Sequence, residues 1–321
     1  MIKLSPMEAL EKAKEFLGIF NPQNIITDNE RKLLLEANSV KQHSNNTSLE
    51  TKDSYELTNE TDKKLIQRTQ MRLLTQELRK QKNLEQIFEK TEKALENEQA
   101  ESQKNFSQPL NEDWLSYYIE GASKISDEQV QDLWAKILAG EIITPKTFSK
   151  RTLDVLLRLS PEEAKLFEKV CGYVVEIGNN VVIINEEKLN SPDYFTYLEI
   201  MRLGECGLIN TSNMSNLNAN VNPAGKFAVI YGNDTIIGES TKQENIHLPI
   251  YPLTVTGIEL SKIVSPTRKY EYLRNLTQYL KDKYKTIEWK NYQVFKRDGQ
   301  TIHYVKIDMR VIANAVKNIS S

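Results

Sequence analysis

The sequence predicts an α+β protein with a mostly helical N-terminal half and a winged-helix-like C-terminal half that ends in a small α+β unit. Three observations predict it. Apolar residues recur at helical spacing up to about residue 170. Alternating β-branched and aromatic residues around glycine-containing turns follow only from Val181 onward. A basic, aromatic stretch then begins at Lys262.

Ser5-Pro6-Met7-Glu8 opens a first helix with a capping box, and Met7, Leu10, Lys14 and Leu17 follow at gaps of three and four, leading towards Phe20. Such a helix docks on a partner helix or lies at a membrane surface; docking is the expectation. Residues 38–61 are polar, without periodicity, and have the composition of a linker or mobile loop. A long helix is expected from Asp62 to about Gln103, because Gly and Pro are absent. Ile66, Leu73, Leu74, Leu78, Leu84, Ile87, Phe88 and Leu95 recur at helical intervals within it. The repeat is too irregular for a coiled coil, so this helix is expected to fold back on the helices that follow.

Those helices lie between Asn111 and Phe167. Ser126 begins a second capping box, and Val130, Leu133, Trp134, Ile137 and Leu138 form one apolar stripe that Gly140 can end with positive φ. Ala135 and Ala139 flank the stripe, where a neighbouring helix could approach closely. Leu153, Leu156 and Leu157 mark another helix, and Ser160-Pro161-Glu162-Glu163 caps the next. Trp134 and Glu141 could form a ligand or partner site; the expected alternative is a core tryptophan beside a solvated glutamate.

In the second half, Val181–Ile184 reads as a strand and Ser191-Pro192-Asp193 as the cap of a helix carrying Tyr194, Leu198 and Met201. Gly207-Leu208-Ile209 would open a return strand. A hairpin is expected around Gly232-Asn233-Asp234, and a helix capped by Thr254 after it. Helices, a hairpin and a helix in that order resemble a winged-helix domain. Its candidate recognition helix, with Asp193, Glu199 and Arg202, is poorly basic for a DNA groove. After Pro266 come a helix with Tyr272, Leu273, Leu276, Tyr279 and Leu280 on its inner face and a hairpin around Asp298-Gly299. The expected organisation is an N-terminal amphipathic segment (1–37), a linker (38–61), a helical domain (62–159), a winged-helix-like domain (160–264) and a basic helix plus hairpin (265–321).

Composition narrows the class. The net charge is −2, and no apolar run approaches the roughly 20 residues a spanning helix needs. With no basic-then-apolar leader at the N-terminus, a cytoplasmic location is expected. Cys171 and Cys206 stand alone without nearby His, so neither a disulfide framework nor a zinc site is implied, and both read as buried thiols. From Lys262 to Arg297 ten Lys or Arg face three acidic residues, with seven aromatics interleaved. Arg268, Lys269, Arg274, Lys281, Lys283 and Lys285 are therefore candidate nucleic-acid contacts, against the plain alternative of a solvated helix face.

No phosphate-binding glycine loop or nucleophile elbow is present, and His43, His247 and His303 are widely separated, so no cofactor is implied. Asp282 with Glu288-Trp289-Lys290 weakly resembles the Asp…Glu-x-Lys pattern of metal-dependent nucleases. The segment Trp134-Ala135-Lys136-Ile137-Leu138-Ala139-Gly140-Glu141, with Arg79–Glu85, resembles a family of uncharacterised bacterial proteins often carried on mobile elements. More loosely it is similar to abortive-infection alpha-type proteins. The family signature rests on Trp134, Ala135, Leu138, Ala139, Gly140 and Glu141. The resemblance implies a non-enzymatic binding protein with a protein partner, a component or sensor of anti-phage defence. The alternatives are a winged-helix nucleic-acid-binding regulator and, more distantly, a metal-dependent nuclease.

Overall fold

The computed structural model describes residues 5–16, 60–99, 110–189, 194–211, 215–223, 225–298 and 301–306. The chain divides into two compact units between Thr147 and Phe148, the first helical and the second α+β.

The first unit contains α1 (Pro6–Phe16), α2 (Glu60–Gln99), α3 (Glu112–Ala122) and α4 (Glu128–Ile143). The first capping box forms, with Ser5 N donating to Glu8 and Glu8 N to Ser5 Oγ. α1 docks on α2 and α4, burying Leu10 and Ala13. The expected linker, apart from Glu60 and Thr61, lies outside the described residues, as does the continuation towards Phe20. α2 behaves as two halves. Leu84, Ile87, Phe88 and Leu95 are buried, whereas Ile66, Leu73, Leu74 and Leu78 are exposed, so only the second half folds back on its neighbours.

α4 begins one residue later than the sequence suggests. Asp127 accepts from Val130 N as the cap, and Gly140 does not end the helix, which runs on to Ile143. The reason is Glu141. It is buried, and its carboxylate accepts from the amides of Lys146 (2.5 Å) and Thr147 (2.9 Å), so the chain turns at Lys146 (φ 70°) instead. The expected solvated glutamate is thus an internal clasp.

The second unit carries α5 (Lys150–Arg158), α6 (Pro161–Cys171), β1 (Val174–Ile177), β2 (Asn180–Ile184), α7 (Tyr197–Glu205), β3 (Ser215–Val221), β4 (Lys226–Tyr231), β5 (Asp234–Ser240), β6 (Glu244–Pro252), α8 (Val255–Ser261), α9 (Tyr270–Lys283), β7 (Ile287–Asp298) and β8 (Thr301–Lys306). Ser160 and Glu163 form the predicted capping box of α6, and Thr254 caps α8. α7 starts at Tyr197 under a Thr196–Glu199 capping box; the expected cap at Ser191–Asp193 lies outside the described residues.

All eight strands pair antiparallel in one sheet, ordered β3-β6-β2-β1-β4-β5-β7-β8. The β4–β5 hairpin turns at Gly232 (φ 63°), where the positive φ suits glycine, as expected. It is the middle of this broad sheet, and β7 pairs with β5 along Asp234–Ser240. The C-terminal hairpin is therefore continuous with the preceding strands and is no separate small unit. The residues at its tip, 299 and 300, lie outside the described residues. Ile209 makes only an isolated bridge with Leu253, so the expected return strand is absent at that point. Tyr173, Tyr194, Tyr231 and Tyr272 pack as a ring cluster under α9, whose inner face is the predicted one.

Candidate functional site

The signature residues build a core. Trp134 is fully buried, the Tyr118 ring packs against it tilted by 58° at 5.2 Å and its hydroxyl donates to the Trp134 carbonyl oxygen at 2.8 Å, and Gly121 leaves room for the indole edge. Thr91 Oγ1 donates to Ile87 O within α2, and the small Ala135 side chain lets α4 come close enough for the same hydroxyl to lie 3.4 Å from Ala135 O. Leu138 and Ala139 are buried, Gly140 is half-buried within the helix, and Glu141 closes the turn. These positions hold helices together, and their side chains are spent on packing.

The basic stretch divides by duty. Arg268 donates to Val174 O at 2.9 Å and lies over the Tyr231 ring, and Lys269 N donates to Tyr231 Oη at the start of α9. Lys283 donates to His247 O and Tyr279 Oη. Arg274 faces Glu271 at 3.8 Å, while Lys281 and Lys285 are exposed. Four of the six candidates thus have partners within their own unit. Lys269 caps the N-terminus of a 14-residue helix whose last turn carries Lys281 and Lys283, so the candidates are spread over roughly 20 Å along its axis. The nuclease-like residues are also occupied, since Glu288 pairs with Lys290 at 2.8 Å and Asp282 accepts from Gln278. Among the described residues no three His, Cys, Asp or Glu side chains are gathered to hold a metal ion.

A cleft of about 430 Å³ opens between α5, α6 and α7, lined by Arg151, Asp154, Arg158, Glu163, Arg202 and Cys206 among others. Arg202 Nε lies 3.3 Å from Glu163. Burial, and after it the Glu163 charge, push the Cys206 thiol up to about 11, so it is protonated at neutral pH and unsuited to nucleophilic work. Cys171 is buried, and burial pushes its thiol up to about 12.

The least expected surface is on α2. Leu65, Ile66, Met71, Leu73, Leu74 and Leu78 are between 37% and 62% exposed, all within fourteen residues of one helix. From Lys63 to Lys82 that helix carries seven Lys or Arg and a single acidic residue, Glu77. The apolar spacing was visible in the sequence; what it could not show is that nothing in the unit's described residues covers it.

Residues 67–277 match one family model, whose members are described as proteins of unknown function. No curated protein and no solved structure matches the chain.

Proposed function

We propose that this chain, which belongs to the family Protein of unknown function (DUF2806), works by binding another macromolecule, with the first half of α2 as the element that engages it. The observation that carries this reading is the run of six exposed apolar side chains from Leu65 to Leu78. Contiguous apolar surface of that kind marks an interaction site more often than an idle one. Fully covering a leucine-sized side chain contributes roughly 1.5–3 kcal/mol, and these half-exposed ones would contribute about half as much each. The loose likeness of the signature to abortive-infection alpha-type proteins supports placing the partner within a phage-defence system, with this chain as a component or sensor.

The test is a triple variant, Leu73→Asp with Leu74→Asp and Leu78→Asp. All three side chains are solvated in the free chain, so folding should survive. Complexes recovered from phage-infected and uninfected cells, and any protection against phage, should be lost. A folded variant that keeps both would refute the reading.

A further inference from the structure

We propose that this protein pairs with a second copy of itself along the outer edge of β3, joining two sheets into one across a two-fold axis. β3 ends the sheet and is bonded on one side only, to β6, in an unbroken register from Ser215↔Ile250 to Val221↔Glu244. The direction of its main-chain groups follows from β6. Tyr284 Oη accepts from His247 N at 2.9 Å and donates to His247 O at 2.7 Å, and Asn185 N donates to Pro249 O at 2.8 Å. Residues 247 and 249 thus bond away from β3, so Asn218 and Asn216 opposite them occupy the non-hydrogen-bonded positions of the ladder, and by alternation so does Asn220. The N–H and C=O groups of these three asparagines therefore point out of the sheet's edge. Among the described residues none bonds to them.

An open edge is ordinarily guarded by a charge, a proline or a bulge. β3 has none of these, whereas the β7–β8 pairing at the opposite edge is broken by a register shift between Val294 and Lys296. Two features select a second copy as the occupant. Asn216, Asn218 and Asn220 are exposed on one face, and a carboxamide, which both donates and accepts, is complementary to another of its own kind as Lys or Glu is not. Asn218 Oδ1 lies 2.6 Å from His247 Nδ1, which leaves the Asn218 NH2 group for the copy. The pattern Asn-Leu-Asn-Ala-Asn also reads almost alike in both directions about Asn218. Antiparallel pairing centred there sets Asn218 opposite itself, Asn216 opposite Asn220 of the copy, and the large Leu217 opposite the small Ala219. The asparagines become the hydrogen-bonded pairs of the new ladder, exchanging about six main-chain bonds. Both copies use the same edge, so the assembly closes at a dimer.

The full chain should sediment as a monomer–dimer equilibrium between about 1 and 200 µM. Asn218→Pro removes an outward N–H without touching a bond to β6, so the far-UV circular dichroism should be kept while the dissociation constant rises at least about tenfold. Asn216→Lys with Asn220→Lys sets like charges opposite each other and should leave a monomer. Mixing that variant with Asn216→Glu, Asn220→Glu should restore dimers as mixed pairs. These charged pairs, at solvated positions, decide the matter even if the proline variant unfolds. Register is read by cross-linking in a Cys206→Ser background, where the remaining Cys171 is buried. Asn218→Cys should form a disulfide dimer on mild oxidation, because hydrogen-bonded partners have Cα atoms about 5.5 Å apart, whereas Asn216→Cys, about 14 Å from its own copy, should not. A monomer at every concentration, a dimer indifferent to the lysine pair, a mixture that forms no mixed dimer, or cross-linking through residue 216 alone would overturn the proposal.

Discussion

Gly121→Ala tests the packing of the signature core directly. A Cβ at residue 121 would overlap Cη2 of Trp134 and stand 3.2 and 3.3 Å from Cζ3 and Cζ2. Neither partner can retreat easily, because Trp134 and Tyr118 are both fully buried and their rings are 5.2 Å apart. Forcing one methyl into such a site costs about 1–3 kcal/mol. Helix propensity returns up to about 1 kcal/mol when alanine replaces glycine, and less here because Gly121 is the penultimate residue of α3. The net expectation is a loss of about 1–2 kcal/mol. Trp134→Phe should relieve it, since the smaller ring withdraws from residue 121 and removes an indole N–H that has no acceptor among the described residues. The double variant should then be more stable than the sum of the two single changes by about 1 kcal/mol or more. Urea unfolding followed by far-UV circular dichroism, with hydrogen exchange of the α3 and α4 amides, measures this. A neutral or stabilising Gly121→Ala, or strict additivity, would mean that the indole does not fill that space.

Four further outcomes follow from the geometry. Glu141→Gln weakens two charge-assisted bonds to the Lys146 and Thr147 amides and should cost about 1–2 kcal/mol in the same unfolding assay. The backbone hydrogen bond from Ser160 holds the Glu163 carboxyl below its usual 4.5. Its stabilisation is therefore full above pH 4.5 and lost as pH falls through the lowered value, and the gap in unfolding midpoint to Glu163→Gln should close over that range. With its thiol pushed up to about 11, Cys206 should be alkylated slowly by iodoacetamide at pH 8, where roughly one thiol in a thousand is ionised; Glu163→Gln removes a nearby negative charge and should speed the reaction. Duplex DNA should not bind at physiological salt. Steeply salt-dependent binding, whose slope falls by about three when Arg274, Lys281 and Lys285 become alanine, would instead revive the regulator reading.

Caps were the most legible part of the chain. Ser5, Ser160 and Thr254 each act where the sequence places them, because a hydroxyl three residues before an amide it can accept from is a local device that needs no tertiary support. Strands were less legible where one face is built of residues with low strand propensity. β3 runs Ser-Asn-Leu-Asn-Ala-Asn-Val, in which Leu217, Ala219 and Val221 alternate with three asparagines that read as loop, yet it pairs with β6 over its whole length. The ends of α4 and the role of Glu141 escaped notice because a buried carboxylate satisfied by two backbone amides looks, in sequence, like any surface glutamate. The duties within the basic stretch were hidden for a related reason. Composition counts charges, whereas Arg268 and Lys283 are held by carbonyl oxygens contributed by β1 and β6, far away in sequence.

The two halves of α2 show where periodicity stops being informative. Ile66 and Leu73 carry the same spacing signal as Leu84 and Leu95, and one pair is exposed while the other is buried. Length decides between them. A helix of 40 residues extends for about 60 Å, whereas α1, α3 and α4, with 11, 11 and 16 residues, are each at most about 24 Å long. Helices that short, packed side by side across the second half of α2, leave the first half beyond their reach. The apolar side that α2 buries at Leu84 and Leu95 thus continues past the reach of α1, α3 and α4, and among the described residues of the unit nothing covers it at Ile66 and Leu73.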